Sequence, residues 1–308
     1  MSGFPEGICS IPWLPLPDCR RSSPDELRIL NLNAGGGFGN MVYEPDGMDP
    51  GDVDELAQRI ADGDADVATL QEVWEMDLPE LERQLEQLTG DEWDLHFAEA
   101  STKARADDDW AGTVYFDQPF GNVVAVRRGD GVIASELVGT RKLDAPGDDG
   151  SDGRVAISVR VHTGNGGSVD VVTAHTDYDG VDDQARAQQI EDLRRFAEAG
   201  ADGRPVIITG DLNATRGGGE PVNEAIDGLV TEHGYADAGD IGPTSDYGHG
   251  RRIDFIFAGD GIGVGTPERV QGDSPDKQGE DRDLSDHDGM VVDVEIPVPA
   301  TGGGDPRT

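Results

Sequence analysis

A series of short, β-branched apolar runs, several ending in a residue able to hold a cation or move a proton, constrains this chain more than any other feature. Leu27–Ala34 carries Asn33, Asp66–Gln71 leads into Glu72, and the run 168–174 leads into His175. Pro205–Thr209 leads through Gly210 to Asp211 and Asn213. Ile253–Ala258 contains Asp254, and Ser285-Asp286-His287 precedes the last run, Met290–Ile296. Further β-branched runs at 121–127, 132–139 and 154–162 read as strands. Between them lie helical patterns. Val53, Leu56 and Ile60 share one face of 51–62, and Leu78, Leu81, Leu85 and Leu88 share one face of 78–89. Segments 183–199 and 220–232 complete the set. Paired strands mixed with a few helices predict an α/β sandwich, with sheets in the middle and helices outside. Strand ends hold side chains on a rigid scaffold, as a preorganised site requires.

At roughly 100–200 residues per domain, 308 residues would fill two domains or one large sandwich. No repeat or long linker divides the chain, so 26–298 is read as one domain. Residues 1–25 are a Pro-rich extension and 299–308 a flexible tail. Asp- and Gly-rich stretches near 101–112, 144–153 and 272–283 read as surface loops. Cys9 and Cys19 are the two cysteines; a small disulfide loop and two unrelated thiols are equal readings. No apolar run reaches the ~18 residues of a membrane span. The N-terminus lacks the basic region and unbroken apolar core of a signal peptide. A salt-laden cytoplasm and export as a mature chain both fit the sequence.

Charge excludes a further class. Lys plus Arg number 24 against 63 Asp plus Glu, a net charge of −39. Self-repulsion on that scale opposes compaction in dilute buffer but is largely screened near 1 M salt, where the Debye length is ~3 Å. The acidity therefore reads as adaptation to a salty milieu. It also argues against nucleic-acid binding by broad phosphate neutralisation.

Taken singly, the polar residues at strand ends are ordinary turn formers or surface groups. Asp254 stands out, because a carboxylate flanked by Ile253, Phe255, Ile256 and Phe257 is costly to bury without a partner, and a histidine is the natural one. The ordered ensemble says more. LRILNLNAG, ATLQEVWE, VVTAHTDYD, VIITGDLNAT, RRIDFIF and LSDHDG occur in that order over residues 27–296. Together they resemble the signature segments of the endonuclease/exonuclease/phosphatase superfamily, the DNase-like metal-dependent phosphoesterases. GDLN and SDH are the most specific of them.

The resemblance implies a four-layered α/β sandwich, two mixed and largely antiparallel sheets flanked by helices. It implies a phosphoester hydrolase that uses Mg²⁺, with Mn²⁺ as the alternative. Glu72 matches the main metal carboxylate, Asn33 the amide near metal and phosphate, and Asp286 a neighbouring carboxylate. Asp211 and Asn213 match the pair that orients water and holds phosphate. Asp254 matches the partner of the SDH histidine, His287, and His175 the histidine that contacts a phosphate oxygen. Gly121-Asn122 resembles a strand start near the substrate. Arg186 and Gln189 match an R-x-x-Q feature of structural character. The general base is left open between Asp211 and His287. Oxygen ligands suit a hard cation that keeps several waters.

The sequence departs from nuclease members in two ways. The strip Gly35-Gly36-Gly37-Phe38-Gly39 replaces a polar side chain after Asn33, and no Gly-Lys-Ser/Thr follows to make a P-loop. Basic DNA-contacting loops are not evident, although Arg127, Arg128, Arg141, Arg251 and above all Arg252 offer local phosphate contacts. The expected activity is a phosphodiesterase, most simply an endonuclease, acting as a monomer with nucleic acid among its candidate substrates. The alternatives are a phosphatase or a phospholipase- or sphingomyelinase-type phosphodiesterase of the same superfamily, a two-metal phosphatase of calcineurin type, and an inactive acidic binding module.

Overall fold

The computed structural model describes residues 26–35, 50–106, 114–129, 131–143, 153–178, 181–245, 250–272 and 285–298. The N-terminal extension with Cys9 and Cys19, the strip 36–39, most of the expected loops and the tail lie outside the described residues.

Two mixed sheets pack against each other. The first is built from β1 (Glu26–Asn33), β2 (Val67–Trp74), β3 (Trp93–Ala106) and β4 (Val114–Arg127), with three late strands. The second holds β5 (Val132–Lys142), β6 (Val155–Thr163), β7 (Ser168–His175), β8 (Val206–Asp211), β9 (Ala236–Asp237) and β10 (Asp254–Ala258). The late strands of the first sheet are β11 (Gly263–Val264), β12 (Glu268–Val270) and β13 (Gly289–Glu295). Spatial order is β11-β13-β1-β2-β4-β3, with β12 beside β13, and β5-β6-β7-β8-β10-β9. Each sheet has one parallel pair, β1 with β2 and β7 with β8, and is otherwise antiparallel.

A helix bridges each parallel pair, as parallel neighbours require. Helix α1 (Pro50–Asp62) joins β1 to β2, and α3 (Asp183–Ala201) joins β7 to β8. Helices α2 (Leu78–Thr89) and α4 (Pro221–Thr231) lie beside them. Leu30, Leu32, Ala68 and Leu70 pack under α1 and α2 with Leu56, Ile60, Leu81 and Leu85. Val172, Ala174, Ile208, Phe255 and Phe257 pack under α3 and α4 with Ile190, Leu193, Ile226 and Leu229. Leu27, Ile29, Val67, Val169, Val171, Ile207 and Ile256 fill the space between the sheets. The order is therefore helices, sheet, sheet, helices, the expected four-layered sandwich.

Strand alternation explains where the polar ends point. Successive residues of a strand face opposite sides, so i, i+2 and i+4 share a face. On the inner face β1 runs Leu27, Ile29, Asn31, Asn33, and β7 runs Val169, Val171, Thr173, His175. β8 offers Ile207, Thr209 and Asp211, and β10 opens on Asp254. Polarity thus rises along the inner faces from an apolar floor to the site. The intermediate layer is cross-bonded: Gln71 Nε2 donates to Asn31 Oδ1 (3.0 Å) and across the interface to Thr173 Oγ1 (2.8 Å).

Two sequence readings are corrected. Trp93–Ala106 is a strand, and its 101–106 portion had read as loop; Ala, Ser, Lys and Glu weaken its β signal, and pairing along β4 supplies the order that local propensity lacks. Residues 114–120 extend the strand expected at 121–127 for the same reason. The four expected helices and the remaining long strands lie where the periodicity places them, within a few residues. Among the described residues no helix is long and apolar enough to cross a membrane.

Gly210 ties β8 to β7. Its φ is +143°, and an added Cβ would sit 2.0 Å from the Ala174 carbonyl oxygen. Gly210→Ala should therefore cost ~3 kcal/mol or more through strain and backbone displacement beside Asp211. Urea unfolding in high salt measures it, and an unchanged midpoint would contradict the packing described.

Candidate active site

The inner faces deliver their last side chains to one place. In register, Asn33 lies opposite Gln71 on β2, while Asp211 lies between His175 on β7 and Asp254 on β10. Glu72 needs a separate device. Plain alternation would aim it with Ala68 and Leu70 at the helices. The register between β2 and β4 slips between Leu70 and Val73, and Glu72 adopts a left-handed φ of +58°. This bulge lets Val73 rejoin the helix-facing core and turns the Glu72 carboxylate toward the site. A non-glycine residue in this conformation stores strain of about 1 kcal/mol or more, which is characteristic of functional positions. Asn213 is also left-handed, at +47°.

Asn33 joins the two sheets. Its Nδ2 donates to Glu72 Oε1 (3.1 Å) and to Asp211 Oδ2 (3.0 Å), while its Oδ1 accepts from the Gly35 amide (2.9 Å). Ser285 Oγ donates to the Asn33 carbonyl (2.6 Å) and accepts from the His287 amide (3.0 Å), so the SDH segment is latched to the end of β1. His287 Nδ1 donates to Asp254 Oδ2 (2.9 Å), and Nε2 lies 3.7 Å from Asp211 Oδ2. Thr244 Oγ1 accepts from the amides of Ile253 and Asp254 and fixes the start of β10. The Asp254 Oδ1 atom is buried with no hydrogen-bond partner among the described residues.

His175 sits between the two halves, with Nδ1 3.5 Å from Glu72 Oε1 and Nε2 3.4 Å from Asp211 Oδ2. The Asn213 amide donates to the Thr176 carbonyl (3.0 Å) and lies 3.0 Å from His175 Nε2. The carbonyl fixes Nδ2 as the donor side, which makes Nε2 the acceptor and puts the imidazole proton on Nδ1.

Electrostatics divides the titratable groups into roles. Burial pushes the Asp211 carboxyl up to about 7, against the opposing pull of His287 and its hydrogen bonds from Asn213 and Asn33. Burial also raises Glu72, opposed by the Asn33 hydrogen bond and reinforced by the charge of Asp286. Burial lowers His175 well below the ordinary imidazole value, and Arg154 and His287 lower it further. His287 moves the other way: burial disfavours its charged form, but Asp254 and Asp211 on either side outweigh it. These directions favour a neutral His175 and an imidazolium at His287 beside Asp254 at neutral pH.

The donors fit a divalent cation. Glu72 and Asp211 are brought together by one amide, Asp286 is exposed beside them, and burial, the main cause of both raised carboxyls, is a cost that a bound cation would offset. Asn33, Glu72, Asp211 and Asp286 form an oxygen-rich set of the kind hard cations prefer. Among the described residues, the compact, buried group of ligand-capable atoms is Asp211, Asp254 and His287. In that group His287 Nδ1 and Asp254 Oδ2 already satisfy each other, so a proton between them suffices.

The structure thus brings together Asn33, Glu72, His175, Asp211, Asn213, Asp254 and His287, with Asp286 at the rim. Asn122 stands aside, donating to the Val155 carbonyl across the sheets (2.8 Å). It starts after Gly121, where a Cβ would lie 1.9 Å from the Ala98 carbonyl oxygen. Arg252 is not gathered with the others. Its guanidinium forks onto Asp237 (2.6 and 3.0 Å) and stacks over Phe255, 4.5 Å from the ring centroid. Arg127 and Arg128 are likewise spent on Asp64, Asp91 and Asp94. Sequence reasoning missed Arg154, Asp177, Thr244 and the Gln71–Thr173 contact. None has a local signature, since each acts through a partner distant in the chain.

Asp254→Asn should lower the proton affinity of His287 and leave its imidazole neutral near pH 7. NMR titration of the His287 ring measures this; a ring that stays protonated above its ordinary value would contradict the pairing.

The residues 30–287 match a family model described as the endonuclease/exonuclease/phosphatase family. Among curated proteins no match is found. Solved structures share the fold at low identity. An endonuclease/exonuclease/phosphatase from Bacteroides vulgatus is 20% identical, with a TM-score of 0.61 over 88% of this chain and 99% of its own. A mannosyl-6-phosphatase from Bacteroides thetaiotaomicron is 17% identical, with a TM-score of 0.62 over 87% and 99%. D. rerio TDP2, complexed with single-strand DNA product, is 16% identical, with a TM-score of 0.60 over 87% and 98%. Members of this family are metal-dependent phosphoester hydrolases. From its matched residues, this chain belongs to the endonuclease/exonuclease/phosphatase family.

Proposed function

We propose that the protein is a Mg²⁺-dependent phosphodiesterase that directs water onto phosphorus. The observation that carries this reading is the constellation at the strand ends, where one amide of Asn33 bridges Glu72 to Asp211 and Asp254 holds His287 beside them. Asn33, Glu72 and Asp286 would hold the cation. When bound, it supplies positive charge against the nonbridging oxygens and the leaving alkoxide.

The chain's own groups divide the remaining work. His287, already charged and anchored by Asp254, donates a hydrogen bond to the phosphoryl group rather than accepting a proton. Asp211, with its carboxyl near neutrality, is then the group suited to take the proton of the attacking water. On this reading the general base, left open by the sequence, is Asp211. Asn213 sits beside it, its own amide N–H donating to Asp211 Oδ1 (2.9 Å) and its side chain directed to His175.

The substrate favoured is a small phosphoester rather than a long nucleic acid. A polymer needs basic side chains along its track, whereas Arg127, Arg128 and Arg252 are paired with carboxylates. DNA is the second reading, supported by the single-strand DNA bound to the similarly folded D. rerio TDP2. At a net charge of −39, high salt screens the repulsion between the chain and an anionic substrate.

Hydrolysis of a bis-aryl phosphodiester and of plasmid DNA, in about 2 M KCl with Mg²⁺ or EDTA, tests the proposal under screened conditions. Cleavage of the small diester should vanish with EDTA. Glu72→Ala, Asp211→Ala and His287→Ala should each lose ~10²-fold or more in kcat while remaining folded. The rate should fall on the acid side as Asp211, which burial raises to about 7 in the absence of a cation, takes up a proton, and a bound cation should move that fall to lower pH. Substantial activity in a folded variant would remove that residue from the mechanism, and no hydrolysis of any phosphoester by the wild type would leave a binding module.

A further inference from the structure

One arginine beside the site is held differently from Arg127, Arg160 and Arg252. Arg154 precedes β6. Ala156 pairs with Ala174, which sets Arg154 across from the residues following His175. Its backbone is gripped on both sides: the Leu143 amide donates to the Arg154 carbonyl (2.9 Å), and Asn122 Nδ2 donates to the Val155 carbonyl (2.8 Å). Its side chain is 12% exposed, and Nε donates to Asp177 Oδ1 (2.8 Å).

Asp177 is itself locked. Its amide donates to Gln189 Oε1 (2.9 Å), its Oδ2 accepts from Gln189 Nε2 (2.7 Å), and its carbonyl accepts from Arg186 Nε (3.0 Å). Gln189 Nε2 also donates to the Leu143 carbonyl (2.6 Å), closing the ring around Arg154. Arg186 reaches the Asn213 carbonyl as well. The R-x-x-Q pair of α3 thus braces both the Asp177 turn and the Asn213 turn.

The terminal amino groups of Arg154 make no hydrogen bond among the described residues. Arg127, Arg160 and Arg252, by contrast, spend theirs on carboxylates. Asp177 follows His175 by two residues and the register lays Arg154 beside that stretch, so the guanidinium stands at the edge of the same site, where its charge also acts on Glu72 and His175. A guanidinium fixed through Nε with free terminal donors is shaped to receive an anionic oxygen.

We infer that Arg154 binds a nonbridging oxygen of the substrate's phosphoryl group, and that Asp177, clamped by Gln189, is its positioning residue. The inference rests on the phosphoester reading and extends it: this acidic chain would draw its substrate in through one oriented guanidinium beside the carboxylate cluster. It also gives Asn122 a role through Val155 rather than by direct contact.

Two readouts test it, the steady-state kinetics of bis-aryl phosphodiester hydrolysis and the thermal protection given by inorganic phosphate with Mg²⁺. Arg154→Lys keeps a charge for Asp177 but loses the free fork. Its KM should rise roughly 10- to 100-fold, kcat should change less, and phosphate protection should weaken in parallel. Asp177→Asn should shift KM in the same direction with a smaller change in kcat. Should Arg154→Lys not fold, the double variant Arg154→Met with Asp177→Asn removes both charges together and gives the same readouts. Wild-type KM and phosphate protection in the folded variants would overturn the inference while leaving the hydrolase reading intact. If the wild type hydrolyses nothing, that reading fails, and phosphate protection alone decides for Arg154.

Discussion

The structure depends on the enclosure of like charges where two sheets meet. Glu72 and Asp211 come from different sheets, share the Asn33 amide and lie where burial penalises their ionised forms. Such a cluster is tolerable only if cations compensate it. One is internal, the His287 imidazolium between Asp254 and Asp211. Another is Arg154 at the edge. The remaining deficit suits a divalent ion, so the site's chemistry grows out of an electrostatic problem created by the fold.

The fold answers that problem with geometry rather than sequence proximity. Both parallel strand pairs end at the same side of the sandwich and carry inward-facing polar residues there. The bulge at Glu72 corrects the one side chain that alternation would have misdirected. Gly210 lets β8 approach β7 closely enough to set Asp211 beside His175. These are local exceptions to regular strand structure, and each adjoins a proposed functional side chain, as expected where function competes with ideal packing.

Much of this was legible in the chain. The period-2 runs located most long strands, and their polar ends located Asn33, His175, Asp211 and Asp254. The cost of burying a lone carboxylate called for a histidine beside Asp254, and the family resemblance named His287. What escaped was non-local. Strand β3 is held by β4 rather than by propensity, and Arg154 acquires meaning only through Asp177 and Gln189, 23 and 35 positions along the chain. Arg252 misled for the opposite reason: its neighbours in sequence suggested a phosphate contact, while its partner in space is Asp237.

The central claim is that the carboxylates at the strand ends form a specific divalent-cation site. Calorimetric titration of Mg²⁺ into wild type and Glu72→Ala, in about 1 M KCl to suppress diffuse binding, tests it directly. A saturable site in the wild type, lost or greatly weakened in the variant, is the expected result. Equal binding by both proteins, or none by either, would contradict it.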